Sequence, residues 1–409
     1  MRDNFYVEFE KALSLVLEDV PLMPWERVSI FDSYRRVLAE DVKADRDNPP
    51  ADVSAMDGYG VRSDDLSSLP VELEIVGEVP AGKLPEVSVG RGQAVKLFTG
   101  SIIPEGCDTV VPVEYVEEKE GKVKIKKAFP KGANVRLKGE DYKEGAVILE
   151  RGEIIKPVEM GILASLNRSF VKVSVKPRVG IITTGSEIVE PGEPLTSVSQ
   201  IRNSNAYTLF GLVKEAGGDP VYFGVVSDDR EKTKEMFLKA LEFCDLVVSS
   251  GGVSMGNYDF VKEIIPEIGI QPVFYKVKVK PGKPVFFGKK DGKFIFALPG
   301  FPVSTAVSFN NFVFPFIRKM LGAKNLFRKK VKGVLVSDFK RRKSDRLEFA
   351  RCKYVYDENS GEYKLFPLKR QGSGILSAMK GNVGIMVVPI GVDYIPKGST
   401  VDFILCKES

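Results

Sequence analysis

The chain has 409 residues, a hydrophobic share of 43% and a formal net charge of +5. These values are typical of a multidomain globular protein with an anionic small-molecule ligand, and they do not require nucleic acid. Histidine is absent and the four cysteines form no CxxC pair, which excludes histidine-dependent nucleophilic catalysis and argues against zinc and disulfide frameworks.

The start of the chain and its apolar stretches indicate the compartment. The first residues are charged, and no uncharged run reaches the length of a membrane helix, so we expect a cytoplasmic protein without a membrane anchor. The thiols are widely separated, and we expect them to be buried and inert. They are Cys107, Cys244, Cys352 and Cys406.

The first 176 residues predict a helical element with a β-rich insertion. Apolar side chains recur at helical spacing in residues 1–20, and a second helix is expected around 33–40. Short β-type runs punctuated by glycine and proline then follow, at 71–77, 93–97, 109–116 and 122–127. A helix-like stretch at 157–166 resembles the opening segment. We therefore expect an elongated domain of residues 1–49 and 143–176, with a β domain inserted at 50–142.

Residues 177–325 alternate between strand and helix patterns. The strands are predicted at 179–183, 220–226 and 246–250, and the helices at 204–216 and 231–243. Ser204 or Asn205 is placed to cap the first helix, and Asp228 and Asp229 open the second. This alternation predicts an α/β domain with a parallel sheet covered by helices on both faces.

Beyond residue 326 the pattern is all β. Short strands separated by turns are expected at 332–337, 346–356, 363–368, 383–389 and 400–405. A small C-terminal β-barrel or sandwich of residues 326–409 fits this pattern.

Two glycine- and serine-rich loops follow predicted strands of the α/β domain. One contains Gly251, Gly252 and Ser254, and the other is the segment TTGSE at 183–187. Each can be a tight turn, but ligands of open α/β sheets bind at the carboxyl ends of strands. Glycines there let backbone N–H groups approach a phosphate. Together the two loops favour a site for a nucleotide-like anion.

Lysines and prolines follow in two further segments. Strand alternation places Lys276, Lys278 and Lys280 on one face, and Lys283 follows. A solvated, lysine-protected edge is the alternative, but we favour binding of an anion that relieves the repulsion between the cations. In LPGFPVS at 298–304, the rigid turn can present Ser304 and backbone N–H groups to an oxyanion, or it can be a plain helix cap.

The inserted β domain places carboxylates and hydroxyls beside glycines, in SAMDGYG at 54–60, LFTGSIIPEGCD at 97–108 and RLKGED at 136–141. An Asp-Gly pair is usually a turn. Several acidic loops that face a phosphate site would supply the oxygen ligands that Mg²⁺ prefers.

These blocks, together with IRNSN at 201–205, SSGGVSMGNYD at 249–259 and KPGKP at 280–284, strongly resemble the molybdopterin molybdenumtransferase family, which includes MoeA and the related domain of gephyrin. Arg346, Glu348, Arg351 and the GSG segment at 372–374 fit as well. The resemblance implies four domains and a homodimer whose cleft lies between one subunit's α/β domain and its partner's inserted domain. The residues that match functional positions of the family are Asp57, Thr99, Asp141, Glu187, Asp228, Asp259, Lys276, Lys280, Pro299 and Pro302.

The resemblance implies insertion of molybdate into adenylylated molybdopterin with release of AMP. On this hypothesis Gly251, Gly252 and Ser254 hold the phosphate. The oxyanion and the turn around it involve Lys276, Lys280, Lys283, Pro299, Pro302 and Ser304. Asp57, Asp141, Asp228 and Asp259 position the pterin and Mg²⁺, with Asp228 and Asp259 as the metal ligands.

One departure from the family pattern and three alternatives to the proposed function remain open. The family usually has asparagine where this chain has Phe301, so a preference for tungstate is an alternative. The other rivals are a molybdopterin adenylyltransferase and a non-catalytic scaffold. The expected partners are a second subunit, the preceding adenylyltransferase and the proteins that accept the finished cofactor.

Overall fold

The structure is a computed structural model that describes residues 6–252 and 260–406. The chain divides into two compact units. The larger unit comprises residues 1–40, 151–156 and 170–409, and the smaller comprises 41–150 and 157–169. The boundaries predicted for the four domains remain predictions.

The larger unit contains a six-stranded α/β sheet. Its strands, in spatial order, are Asp219–Val226, Arg178–Thr184, Leu246–Ser250, Lys293–Leu298, Phe286–Lys290 and Gln271–Phe274. The first four are parallel, as predicted, and the two remaining pairings are antiparallel. The antiparallel step arises at Asp291 and Gly292, which both have positive φ (48° and 74°) and form the two-residue turn typical of a hairpin.

Helices cover both faces of this sheet. Leu246 and Val248 belong to one apolar core and Val247 belongs to the other, because successive side chains of a strand point to opposite faces. The helices Asn205–Ala216 and Arg230–Phe243 both contact the strand Arg178–Thr184. The predicted three-layer α/β arrangement is confirmed.

The predicted caps of these helices differ in outcome. Asp229 accepts a hydrogen bond from the Lys232 N–H (3.0 Å), as a capping carboxylate should. Ser204 stands at the cap position of its helix but makes no side-chain cap. Instead, Asn203 Oδ1 accepts a hydrogen bond from the Ala206 N–H (3.2 Å).

A continuous helix of residues 302–320 follows the strand Lys293–Leu298. It consists of Pro302–Ser308, a π-helical turn Phe309–Val313 and Phe314–Met320. Proline suits the first helical position because the N–H it lacks would have no intrahelical acceptor there. Single π turns inside α-helices often lie at functional sites.

The C-terminal region forms a closed five-stranded β-barrel, as one of the two predicted alternatives. Its strands are Leu347–Asp357, Glu362–Pro367, Lys330–Leu335, Thr400–Leu405 and Val383–Val388, and the last pairs with the first. Closure leaves no free edge among these strands. The short strand Val279–Lys280 adds in parallel to the beginning of Leu347–Asp357, which brings the barrel to the lysine segment.

The N-terminal segment is less helical than predicted. The helix Phe9–Leu17 forms, and the Phe9 ring lies 5.2 Å from that of Phe349. The helix predicted around 33–40 is wrong. Val37 and Leu38 are instead bridged to Ile154 and Val173, because pairing with distant segments buries these two side chains without a helix.

The smaller unit contains a six-stranded, mostly antiparallel sheet, as its glycine-punctuated β pattern predicts. Its strands, in spatial order, are Thr109–Pro112, Gly58–Val61, Gln93–Leu97, Val71–Val79, Lys122–Ile125 and Val116–Lys119. The helix Pro157–Ser165 belongs to the same unit.

Smaller elements complete the fold. The two-stranded pairings are Tyr6–Val7 with Lys276–Val277, Trp25–Ser29 with Phe170–Ser174, Val42–Lys43 with Val147–Leu149, Val53–Ser54 with Val135–Arg136, Ile188–Val189 with Ile201–Arg202, and Phe339–Lys340 with Tyr394–Ile395. The remaining α-helix is Phe260–Glu267, and short 3₁₀ turns span Ile30–Asp32, Ser63–Leu66, Val113–Tyr115 and Leu376–Met379. No helix in the described part of the chain has the length and apolar character required to cross a bilayer.

Candidate functional site

Three loops meet at the carboxyl edge of the α/β sheet. They follow the neighbouring strands that end at Thr184, Ser250 and Leu298. The Gly251 N–H donates to the Leu298 carbonyl (3.0 Å). A Cβ placed on Gly251 would lie 2.6 Å from the Thr184 carbonyl oxygen, and one on Gly300 would lie 3.8 Å from the Gly251 Cα. The predicted juxtaposition of the two glycine-rich loops therefore occurs, and the 298–302 turn joins them.

Asn205 ties two of these loops together. Its Nδ2 donates to Ser250 Oγ and to the Gly300 carbonyl, both at 2.7 Å. Its Oδ1 is buried and has no hydrogen-bond partner in the described part of the chain. From the sequence, Asn205 is predicted as a helix cap and belongs to the IRNSN block of the family resemblance, but its role as a bridge between loops is not predicted. The signal available was a polar IRNSN segment directly before an apolar helix.

The acidic side of the edge is formed around Gly185 and Ser186. Asp228 Oδ2 accepts a hydrogen bond from the Ser186 N–H (3.3 Å), and Ser186 Oγ accepts one from the Asp228 N–H (3.0 Å). The Glu187 carboxylate folds over Gly185, where a Cβ would lie 2.6 Å from its Oε2. Glu187 and Asp228 therefore lie on one loop cluster, whereas Ser254 and Asp259 lie outside the described residues.

A cavity of about 630 Å³ opens beside this cluster. Its volume lies within the range of small-molecule sites. The cavity is lined by Gly185 and Ser186, by the end of the strand Asp219–Val226 and by residues of the helix Arg230–Phe243. The side chains from that helix are Lys232, Glu235, Met236 and Lys239.

The lysine segment forms two short strands, and its cations have carboxylate partners. Val277 and Val279 are buried between the lysines, as the predicted alternation requires. Lys278 Nζ lies 2.5 Å from Glu8 Oε1, and Lys280 Nζ lies 2.9 Å from Glu348 Oε1. These carboxylates reduce the mutual repulsion of the two lysines, and anion binding by the segment stays a prediction.

The other two predicted lysines lie near the N-terminal segment. Lys276 pairs in register with Tyr6, and the Lys283 ammonium lies 5.3 Å from the centre of the Tyr6 ring. A cation at this distance from an aromatic face is attracted by the ring.

The KPGKP loop lies against the start of the 302–320 helix. Gly282 has φ of +95°, and a Cβ there would lie 2.4 Å from Ser308 Oγ and 3.8 Å from the Ser304 carbonyl oxygen. Pro299 is buried, Ser304 is 5% exposed, and Thr305 Oγ1 donates to the Pro299 carbonyl (2.5 Å). Consecutive close contacts thus connect Gly251, Gly300 and the helix start to the loop that contains Lys280. The predicted anion site requires the glycine loop and the lysine loop to be connected by contacts of this kind.

Arg351 holds a loop of the barrel that contacts the start of the 302–320 helix. Its buried guanidinium donates to the carbonyls of Arg370 (3.2 Å), Gly372 (2.9 Å) and Ile375 (3.3 Å), and burial lowers its pKa. The Ser373 carbonyl accepts a hydrogen bond from the Val303 N–H (2.9 Å). The GSG segment is therefore held in place against the start of the 302–320 helix.

The smaller unit contains a polar cluster of its own. Asp57 Oδ1 accepts hydrogen bonds from the Thr99 N–H (2.7 Å) and from Thr99 Oγ1 (2.9 Å). The Thr99 N–H holds the pKa of the Asp57 carboxyl below its usual range, so this group is a carboxylate at neutral pH. Asp141 instead accepts from Asn48 Nδ2 (2.9 Å). The structure brings Asp57 and Thr99 together and leaves Asp141 with a different partner.

The prediction that all four cysteines are buried is wrong for two of them. All four are free; Cys244 and Cys352 are buried, and Cys107 and Cys406 are partly buried. Burial raises the thiol pKa to about 11 for Cys244 and about 12 for Cys352. These two thiols are therefore protonated and unreactive at neutral pH.

Comparisons with known proteins cover nearly the whole chain. Residues 7–167 match the MoeA N-terminal region (domains I and II), 180–319 match a probable molybdopterin binding domain, and 332–406 match the MoeA C-terminal region (domain IV). A molybdopterin molybdenumtransferase of Staphylococcus aureus is 32% identical over 405 residues, which are 98% of this chain and 96% of the relative. The chain belongs to the MoeA family.

Other relatives agree with this assignment. A molybdopterin molybdenumtransferase of a Nostoc species is 36% identical over 389 residues, which cover 92% of this chain and 87% of the relative. The solved structure of a molybdopterin biosynthesis MoeA protein from Pyrococcus horikoshii OT3 is 33% identical and superposes with a TM-score of 0.83 over 98% of this chain and 100% of that one.

Phe301 stands at the start of the 302–320 helix. It occupies the cap position, is 64% exposed and makes no side-chain cap. Its ring contacts Gly374 of the GSG segment, where a Cβ would lie 3.6 Å from Phe301 Cδ1. The aromatic ring therefore makes an apolar contact with the barrel loop and does not cap the helix.

We expect Phe301→Asn to be more stable than Phe301→Ala by about 1 kcal/mol, because the asparagine side chain can accept a hydrogen bond from the Ser304 N–H and alanine cannot. Both variants lose the ring contact, so their difference isolates the cap. The free energy of unfolding from urea titration measures this difference. Equal stabilities would mean that the turn geometry prevents side-chain capping.

Proposed function

We propose that the chain is the molybdenum insertase of molybdenum-cofactor biosynthesis. It transfers molybdenum from molybdate to adenylylated molybdopterin and releases AMP. The observation that carries this proposal is the meeting of the 183–187, 250–252 and 298–302 loops at one sheet edge, beside a helix start and the Lys280 loop. An enzyme that joins a nucleotide-bearing pterin to an oxyanion needs both kinds of site next to each other.

The phosphate would bind at the glycine loop. Gly251 and Gly252 have φ of +94° and +70°, a conformation that glycine adopts at low energetic cost. Because the Gly251 N–H donates to the Leu298 carbonyl, we assign the phosphate contact in this loop to the Gly252 N–H. We place Ser254 in the same loop. Asn205 Oδ1, buried and without a partner in the described chain, supports a ligand N–H or O–H at this edge.

The oxyanion would bind between the lysine loop and the helix start. Lys276 and Lys280 would neutralise its charge, Lys283 would add to the positive potential, and Ser304 would offer a hydroxyl. Pro299 and Pro302 keep the turn rigid, so the groups are in place before the substrate arrives. No nucleophilic side chain is needed, because these residues bind and orient the reacting groups and exclude water from them.

Magnesium fits the acidic side of the edge as a substrate-borne ion. Within residues 6–252 and 260–406, no three acidic, cysteine or histidine side chains converge as a metal cage. Mg²⁺ commonly binds through one or two carboxylates and substrate phosphates, and Glu187 and Asp228 lie on one loop cluster. We propose Asp228, with Asp259, as the ligands. The ion would neutralise developing charge on the phosphate.

We further propose a homodimer in which Asp57, Thr99 and Asp141 of one subunit complete the site of the other. Mixing equal amounts of the subunits Asp57→Ala and Lys280→Met should then restore about a quarter of wild-type activity, because half of the dimers are mixed and each has one intact site. Subunits must be unfolded and refolded together to exchange. No recovery in mixtures whose dimers have exchanged would place both residues in a site within one subunit.

Release of AMP tests the function. Purified protein, adenylylated molybdopterin, Mg²⁺ and molybdate should yield AMP and active cofactor, and omission of molybdate should abolish both. Parallel reactions with tungstate test the metal preference, and Asp259→Ala tests that carboxylate. Pyrophosphate formed from molybdopterin and ATP would instead indicate an adenylyltransferase. Failure of an active-site variant, but not of wild type, to complement a cell without insertase would argue against a scaffold.

The cellular setting follows from this activity. We propose that the chain acts in the cytoplasm, receives its pterin from the molybdopterin adenylyltransferase and passes the finished cofactor to downstream acceptors. Direct transfer would protect the adenylylated pterin from hydrolysis between the two steps.

A further inference from the structure

A buried ion-pair chain links the C-terminal barrel to Lys280. The strand Val279–Lys280 runs parallel to Leu347–Asp357, with Lys280 in register with Glu348. Glu348 is 2% exposed. Its Oε1 lies 2.9 Å from Lys280 Nζ, and its Oε2 lies 3.4 Å from Arg341 Nη1. One carboxylate therefore bridges two cations.

Arg341 is anchored independently of Glu348. Its guanidinium donates to the carbonyls of Val392 (2.6 Å), Arg346 (3.0 Å) and Pro389, and its side chain is 2% exposed. These carbonyls belong to loops of the barrel. Arg341 is thereby fixed, and it fixes one oxygen of Glu348.

The Lys280 side chain, at one end of these ion pairs, is accessible to a ligand. The Lys280 side chain is 41% exposed, whereas that of Glu348 is 3% exposed. An ammonium has three donors, and the contact with Glu348 uses one of them. The other two can reach a ligand on the exposed side. The neighbouring pair Lys278–Glu8 differs, because both of its side chains are more than a third exposed.

We propose that Glu348, held by Arg341, is a positioning residue that fixes the Lys280 ammonium for oxyanion binding. This inference rests on the proposed function. A free lysine side chain must lose rotamer freedom when it binds an anion, and here the barrel has already removed that freedom. The carboxylate also repels the anion, but the Arg341 guanidinium, 3.4 Å from Glu348 Oε2, offsets this repulsion. We therefore expect the immobilisation of Lys280 to dominate.

Equilibrium dialysis with sodium molybdate tests the proposal. Glu348→Gln should weaken molybdate binding about tenfold, equivalent to about 1.4 kcal/mol. Glu348→Asp should weaken it in the same direction, because it keeps the charge beside Arg341 but no longer reaches Lys280. Glu8→Gln, which removes the partner of Lys278, is the matched control and should change binding less than twofold.

A double-mutant cycle distinguishes positioning from a general structural role. In a Lys280→Met background, Glu348→Gln should cause no further loss of affinity. Additive losses, tighter binding by Glu348→Gln, unchanged binding or unfolding of both Glu348 variants would each overturn the proposal. Failure of wild type to bind molybdate would instead refute the proposed function itself.

Discussion

Lys280→Met should lower kcat/KM for molybdate-dependent AMP release by about 10²–10³-fold. Removal of one preorganised donor from a charge-stabilising site has an effect of this size. Lys280 lies on the loop that contacts the 302–320 helix start, where a Cβ on Gly282 would meet Ser308 and Ser304. Steady-state kinetics with varied molybdate measures the loss.

Lys278→Met is the matched control for this variant. It removes the same cation two residues earlier, but from a surface pair with Glu8, and surface pairs contribute little. We expect a change of no more than about threefold. Equal losses in the two variants would show that the overall charge of the segment matters and that Lys280 has no special place. Circular dichroism of both variants verifies that they fold.

Gly251→Ala should lower kcat/KM about 100-fold and also destabilise the protein. The added Cβ would lie 2.6 Å from the Thr184 carbonyl oxygen and 2.8 Å from Thr184 Oγ1. One of the two loops must then move, and displacement of a reacting group by about 1 Å has an effect of this order. We expect the free energy of unfolding to fall by about 1–3 kcal/mol more than backbone strain alone requires.

Gly192→Ala provides the comparison for backbone strain. Gly192 has φ of +97°, close to the +94° of Gly251, and a Cβ there would meet no atom within 4 Å. This variant should lose about 1 kcal/mol of stability and keep its activity. Urea titrations and AMP-release assays of both variants test the difference. A Gly251→Ala protein as active as Gly192→Ala would remove the glycine loop from the substrate site.

The parts of the fold that the sequence predicts are those with local patterns. The strand Leu246–Ser250 has the predicted bounds, because the apolar run 246–248 follows the polar Asp245 and the glycine loop ends the strand after Ser250. The helix Arg230–Phe243 begins at a capping aspartate. A helix is predicted at residues 33–40 but does not form, because the burial of Val37 and Leu38 depends on pairing with Ile154 and Val173. These two partners lie more than a hundred residues away.

In the candidate site, too, local sequence patterns predict some features, and the others depend on contacts between distant segments. Glycine-rich loops after apolar strands are visible in the sequence, and the structure places Gly251 beside Thr184 and Gly300. The partners of Lys278 and Lys280 were not predictable, because Glu8 and Glu348 approach through strand pairings between distant segments. The bridging amide of Asn205 was missed for the same physical reason.

The position of a bound oxyanion tests the account most directly. Crystals soaked with tungstate, located by its anomalous scattering, should show the anion within about 2.7–3.2 Å, oxygen to nitrogen, of Lys280 Nζ and near the start of the 302–320 helix. A contradictory result is an anion only at the opposite edge of the sheet, in the cavity of about 430 Å³ beside Lys289 and Lys290. That outcome would separate the oxyanion from the glycine loop and remove the basis of the proposed reaction.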